Sequence, residues 1–515
     1  MANGKELIPN GSPGLRLCLK PSPHFAFLRD FLSASDFYEG SICPRAGMSG
    51  LNEFISKDRA RVTLSGESDR LGFLIRLFLL GESLAVKDLE AVFPAGALEA
   101  MKDTGLLMED PAEHGRAYAS VALYPVERLF IVSDRWSTPE GKVPDLADDF
   151  VFPAITPNTS QFVAGLPRES CDSLLELCSG AGVAALEAAR HANHAWAVDV
   201  TQRSTQMAEF NRLLNGLENV TPIQGDLYEC LNDLTFDRIV AHPPYMPTLN
   251  RTQVFYGGGA DGEEVTRRIV MGLPRYLRPG GCFYCLAQGS DRDSAPFQQR
   301  ARAWLGEAAS DFDVMVVVRQ LQKPDDTAMQ YAVKTKGGGG AAHGMREALR
   351  GLGVQSMVYG WLVLQRREVD RPVFITRRSV GPNTGRDEIA WLLKWETAAA
   401  KPEFLDTLAD AHPIATHALE LHIVHRIKEG DLAPEEFSLH IKYPFSIDCR
   451  VQPWMGFLLP QCDGKLSVRQ LLEFCKQNNF VQPETPLAEF ARLLAVFVAN
   501  GFLEVKGFEL PTKAH

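Results

Sequence analysis

The chain has 515 residues, 45% of them hydrophobic, which is enough to bury two or three cores. Its 64 acidic residues outnumber 53 basic ones, and the net charge of −11 argues against non-specific attachment to a phosphate backbone, but not against a local basic patch. The most apolar run, Leu71 to Leu80, contains Arg76 and is too short to span a bilayer, and the first residues lack an apolar signal-peptide core. A cytoplasmic protein with no membrane partner is therefore expected.

In chain order, residues 1 to about 50 are rich in Gly, Pro and Ser and read as irregular, apart from a helical piece near His24 to Leu32. Phe73 to Leu80, Val86 to Phe93 and Ala95 to Asp103 read as helices. Gly105 to Glu109, Ala117 to Pro125 and Arg128 to Val132 read as strands. Helices followed by a small sheet suggest a winged-helix-like lobe, and the boundary of this N-terminal region is set at 145.

From 146 to 370 the pattern becomes α/β. Ser173 to Cys178 is a short apolar strand that ends at Ser179-Gly180-Ala181-Gly182, and a strong helix former follows from Val183 to Arg190. Glycines at such a turn let a ligand approach the backbone, with helix N–H groups facing it. Ala195 to Asp199 is a second strand whose terminal acid is placed to accept ribose hydroxyls. After the helix Arg203 to Leu214 comes a third strand, Val220 to Ile223, leading to Gly225-Asp226-Leu227. The carboxylate there can take an adenine amino group. Arg238 to Ala241 is a fourth strand, and it stops at His242-Pro243-Pro244-Tyr245. The prolines have no N–H and fixed φ, so the strand ends and leaves carbonyl acceptors beside an aromatic ring. Such a rim suits a planar group bearing NH₂, either an amide or a nucleobase.

The four tips in this order resemble the class I S-adenosylmethionine-dependent methyltransferases, in the branch whose fourth strand ends in Asn/Asp/Ser-Pro-Pro-Tyr/Phe. Tyr256-Gly257-Gly258-Gly259-Ala260-Asp261-Gly262, with the helix Glu263 to Tyr276 after it, is most similar to the protein-glutamine (release factor) N-methyltransferases and methyltransferase small domain proteins. The resemblance implies a Rossmann-like seven-stranded domain with S-adenosylmethionine as cofactor. It implies that Glu176, Cys178, Gly180 and Gly182 line the methionine half, Asp199 the ribose, and Asp226 with Leu227 the adenine. The stretch Pro153 to Leu166, with Thr159, would be the lead helix lying against the cofactor. His242, Pro243, Pro244 and Tyr245 would hold the acceptor nitrogen, His242 also bordering the cofactor. Two departures stand out: Cys178 replaces the first glycine of the loop motif, and His242 replaces Asn, Asp or Ser. A neutral imidazole has one acceptor nitrogen and can also take a proton, so His242 would accept a hydrogen bond, act as a base, or cap the strand.

Phe312 to Arg319 and Tyr359 to Arg366 are the expected late strands, one of them reversed, and Lys336 to Gly340 between them reads as a flexible loop. Of the ten cysteines, Cys282 and Cys285 are spaced like a metal pair. Residues three apart on a strand face opposite sides, however, so no metal is expected. The third part, 371 to 515, reads as α+β and winged-helix-like. Ser467 caps a helix from Val468 to Asn478, a second helix runs from Pro486 to Ala499, and Phe502 to Val505 is a strand. This order is similar to peptide-binding winged-helix modules, including leader-peptide clamps.

The acceptor is expected to be an amide or amino nitrogen on a protein or peptide. An RNA or DNA base amino group, a small molecule, or an inactive cofactor-binding scaffold are the alternatives, and the oligomeric state is left open.

Overall fold

The computed structural model describes residues 15–56, 62–111, 113–137, 147–249, 257–381, 384–428 and 430–511. Residues 1–14 and Tyr256, both part of the readings above, lie outside these. The chain divides into two compact units, Met1–Ala287 with Ala328–Arg350, and Gln288–Thr327 with Gly351–His515.

The first unit opens with two helices, the first of them the piece expected near His24 to Leu32 and the second in chain read as irregular. Pro23–Ala34 starts with a proline in its first turn and buries Phe25, Leu28, Phe31 and Leu32, a spacing that places them along one face. Glu39–Ala46 follows and ends on Gly47 at φ 61°. The second was hidden because Gly40, Ser41 and Pro44 fall within it. Next come the helices Arg70–Phe78, Val86–Val92 and Ala97–Asp103, interleaved with a three-stranded antiparallel sheet in the order Leu84–Ala85, Arg116–Ala119, Leu107–Glu109. The hairpin Ala122–Val126/Leu129–Ser133 completes this part.

The centre of the first unit is a parallel sheet. Its strands lie in the order Val220–Gln224, Ala192–Asp199, Cys171–Leu177, Phe236–Ala241 and the start of Leu277–Arg292. Strand order reverses between Cys171–Leu177 and Phe236–Ala241, which opens a crevice at the carboxyl ends of the strands. The hairpin is fastened to the helix Gln202–Asn215 by two asparagines that act as a surrogate strand. Asn211 Oδ1 accepts from Val132 N (2.7 Å) while its Nδ2 donates to the carbonyls of Val132 (3.2 Å) and Ala181 (3.0 Å). Asn215 pairs in the same way with both backbone groups of Phe130. Asn211 therefore ties the glycine loop to the hairpin.

The glycine-rich loop expected at Lys336 to Gly340 is a break between two helices, Pro324–Lys334 and Gly338–Gly351. Ala342, Met345 and Leu349 are buried on one face of the second. The apolar spacing therefore sets the helix, and the glycines fall in its first turn, where they cost little.

In the second unit, Phe312–Gln322 pairs antiparallel with Val354–Arg366, the expected reversed strand, and parallel with Ile375–Ser379. This last strand is one beyond the seven expected. Its sequence is polar and lacks strand alternation; it is held by ion pairs from Arg377 to Asp291 (2.8 Å) and from Arg378 to Glu396. A three-stranded antiparallel sheet, Glu420–Lys428, Asp431–Ile441 and Ile447–Val451, precedes the helices Val468–Gln477 and Leu487–Ala499. Ser467 caps the first of these in a full capping box with Gln470. Ser467→Ala should cost about 1 kcal/mol, read as a lower denaturation midpoint with an unchanged slope. Among the described residues no helix is long and apolar enough to cross a membrane.

Candidate active site

A cavity of about 550 Å³ opens at the carboxyl ends of the parallel strands, within the first unit. Its floor is the turn after Cys171–Leu177. Asp199, at the tip of the next strand, organises that turn: Oδ2 accepts from Gly180 N at 2.9 Å, and Oδ1 accepts from Thr201 N (3.0 Å) and Thr201 Oγ1 (3.1 Å). A carboxylate has about four lone-pair sites, so acceptor capacity remains towards the cavity. A Cβ built on Gly180 meets nothing within 4 Å, so the backbone there faces open space.

Glu176 is buried beneath this floor. Oε1 accepts from Ala184 N (3.2 Å) and Oε2 from Ala185 N (2.8 Å), so it caps the helix Val183–Ala188. Burial pushes its carboxyl up to about 8, against the pull of the two amides.

Cys178 has φ 56°, a left-handed conformation, which explains why a glycine suits this position. Its buried thiol is pushed well above the usual range and is a poor nucleophile. A side chain in this conformation costs about 1–2 kcal/mol, and glycine returns about 0.5–1 kcal/mol to the unfolded chain. Cys178→Gly should accordingly raise stability by about 0.5 kcal/mol, and a fall of several degrees in melting temperature would show that the thiol's packing outweighs the strain.

Gly182 does not line the cavity. At φ 78° it begins the helix, and a Cβ there would lie 3.0 Å from the Ala208 Cβ, so its task is close packing against Gln202–Asn215. The family resemblance implied a lining role, but this residue packs against the neighbouring helix instead. Thr159 lines the cavity from the helix Pro157–Gly165, and its hydroxyl shares a hydrogen bond with Thr156 (3.0 Å). Asp226 and Leu227 line the far wall, Leu227 also at positive φ (54°). Asp226 is paired with Arg268 at 2.8 Å, and both side chains are about two-fifths exposed.

His242, Pro243, Pro244 and Tyr245 form the opposite wall. The His242 ring is stacked on Phe162 (centroids 5.3 Å apart) and on Tyr245 (5.8 Å). Its Nε2 is buried and has no hydrogen-bond partner. Burial lowers its pKa to about 4, so the ring is neutral around pH 7. The Tyr245 hydroxyl accepts from Asn158 Nδ2 at 2.7 Å. Behind the tip, Gly262 (φ 76°) fits because a Cβ would come within 2.5 Å of the Tyr245 carbonyl oxygen, and Gly258 N donates to the Met246 carbonyl (2.9 Å). The glycine-rich segment therefore buttresses the Pro-Pro-Tyr turn.

Asn158, Phe162, Arg268 and Lys334 also line the cavity; the first two lie in the stretch Pro153 to Leu166 expected against the cofactor, without having been singled out, and motif reading missed the other two. Arg268 lies on the helix Glu264–Tyr276, which the sequence did place, but its pairing with Asp226 joins residues 42 apart and carries no local signal. Lys334 closes Pro324–Lys334, which carried no motif.

Residues 150–295 match the family described as "Methyltransferase small domain", and residues 58–118 match a domain of unknown function, DUF7059. The chain is 32% identical over 157 residues to a ribosomal protein uL3 glutamine methyltransferase of Bradyrhizobium diazoefficiens, covering 28% of this chain and 49% of that protein. It thus spans about half the length of that relative. A protein of the same name from Neisseria gonorrhoeae is 28% identical over 264 residues, 48% of this chain and 84% of its own length. The release factor glutamine methyltransferase of Moorella thermoacetica is 30% identical over 207 residues, 36% of this chain and 70% of its own length. With the strand tips converging on one crevice inside the matched residues 150–295, and with the likeness to the Moorella thermoacetica protein covering most of that relative, the chain belongs to the family of S-adenosylmethionine-dependent methyltransferases that holds these glutamine enzymes.

Proposed function

We propose that the protein transfers the methyl group of S-adenosylmethionine to an amide or amino nitrogen on a protein or peptide. The observation that carries this reading is His242, whose neutral ring leaves a buried Nε2 unpaired on the wall of the cavity that Asp199 and Gly180 also line. An unsatisfied buried nitrogen is costly and points to a partner that arrives with the substrate.

The residues fit the cofactor. Asp199 keeps acceptor capacity for a ribose hydroxyl, Leu227 offers an apolar face to a base, Asp226 lies at the same wall, and the open backbone at Gly180 leaves room for the methionine part. When bound, the cofactor supplies a methyl group on a positively charged sulfur. The chain's own part is positioning: a planar NH₂ group would enter beside Pro243 and Pro244, whose strand-end carbonyls accept one hydrogen, while an imidazole nitrogen of His242 accepts the other. Held so, the nitrogen's lone pair would face the methyl carbon opposite the sulfur, which would leave as a neutral thioether, and the neutral imidazole of His242 would take the proton that the methylated nitrogen sheds. The Asn158–Tyr245 hydrogen bond fixes the aromatic edge of this slot.

In this reading residues 146–370 are the catalytic part, and the regions 1–145 and 371–515 serve acceptor recognition. Stacking of His242 between Phe162 and Tyr245 favours one rival, a strand cap in a cofactor-binding scaffold without turnover. Labelled S-adenosylmethionine incubated with cell extract and then fractionated separates the two. Label in the protein fraction supports the proposal; label only in RNA or small molecules, or none, overturns it.

A further inference from the structure

We infer that a second cavity in the first unit, also of about 550 Å³, is a binding site for a phosphate-bearing ligand. It is lined by Arg29, Arg128 and Arg190 together with the hydroxyl residues Ser33 and Tyr38, and no Asp or Glu lines it. In a chain with more acids than bases, three guanidinium groups around one cavity are a local reversal of charge.

The three come from separate elements: the helix Pro23–Ala34, the turn of the hairpin Ala122–Val126/Leu129–Ser133, and the segment after the helix Val183–Ala188. None of them forms an ion pair with a carboxylate among the described residues. Two nearby acids are occupied elsewhere, because Arg168 pairs with Glu127 (3.1 Å) and with Glu187 (2.9 Å). Glu127 stands beside Arg128 and Glu187 three residues before Arg190 in the sequence. Arg29 is half-buried and held in place, its Nη1 donating to the Leu214 carbonyl at 3.4 Å. Gly216 leaves it room, since a Cβ there would lie 2.3 Å from the same nitrogen. Asn215, also in the lining, is committed to Phe130 and Asn211, so donation to a ligand falls to the arginines and the two hydroxyls. Planar guanidinium groups converging on one volume match a phosphate, which presents up to two negative charges and three strong acceptor oxygens, better than a single carboxylate.

The test uses the full chain and inorganic pyrophosphate, which has no base and so does not report on the cofactor crevice. Calorimetry should show saturable binding that weakens as salt is raised. Arg128→Ser combined with Arg190→Ser, both at exposed positions, should weaken it at least tenfold while S-adenosylmethionine affinity and melting temperature stay unchanged. A uridylate oligomer binding no more tightly than pyrophosphate would identify the ligand as a small phosphorylated molecule, and affinity growing with oligomer length would identify it as an RNA strand. The inference is overturned by no saturable pyrophosphate binding at millimolar concentration, by equal binding to the double variant, or by acetate binding as well as pyrophosphate.

Discussion

If the imidazole acts on the acceptor nitrogen as proposed, replacing His242 by alanine should lower turnover by roughly 10²-fold or more while leaving S-adenosylmethionine affinity within a few-fold. His242→Asn restores an amide oxygen at the strand tip and should keep substantial activity on an amide acceptor. The pH profile separates the roles further. Burial holds the His242 pKa at about 4, so the ring stays neutral from pH 5.5 to 8 and the rate of the parent should not fall on its account in that window. A ring titrating at its ordinary value of about 6.5 would instead lose roughly tenfold by pH 5.5. The sign for stability follows from the same shift. The unfolded chain binds this proton more readily than the folded one, so stability drops as pH falls from about 6.5 towards 4. If His242→Ala matches the parent at every pH, the ring is only a strand cap. If Asn is as inactive as Ala, proton transfer matters more than hydrogen-bond acceptance.

Asp199→Ala should weaken S-adenosylmethionine binding at least tenfold, since each lost charge-assisted hydrogen bond costs about 1.5–3 kcal/mol. The same carboxylate holds Gly180 N and Thr201, so the glycine loop loses its anchor and the melting temperature should fall as well. Asp199→Asn keeps one acceptor oxygen and should recover part of both losses. Calorimetry on the three proteins checks this, and unchanged S-adenosylmethionine affinity in Asp199→Ala would remove the ribose role.

The sheet of the first unit was legible because each strand there is a short apolar run closed by a residue with its own chemistry: Gly180, Asp199, Asp226 or His242. Pro-Pro-Tyr could be placed at a strand end from the missing N–H groups alone. What stayed hidden depends on contacts distant in sequence. Gly182 and Gly180 look alike in the motif, yet one meets Ala208 and the other faces open space. Nothing local tells that Asp226 will meet Arg268, or that Asn211 will stand in for a strand against the hairpin. The helix Glu39–Ala46 and the strand Ile375–Ser379 were missed for a related reason. The first carries Gly40, Ser41 and Pro44 within it, and the second is held by charge pairs instead of an apolar face.

The central claim is that the His242-Pro243-Pro244-Tyr245 slot presents a planar nitrogen to the methyl donor. Tandem mass spectrometry of the acceptor, after turnover with isotopically labelled S-adenosylmethionine, tests it most directly. The expected result is one labelled methyl on an amide or amino nitrogen of a protein or peptide, absent when His242→Ala is used. A methyl on a carboxylate, a thiol or a hydroxyl, or an acceptor that His242→Ala methylates equally well, would contradict it.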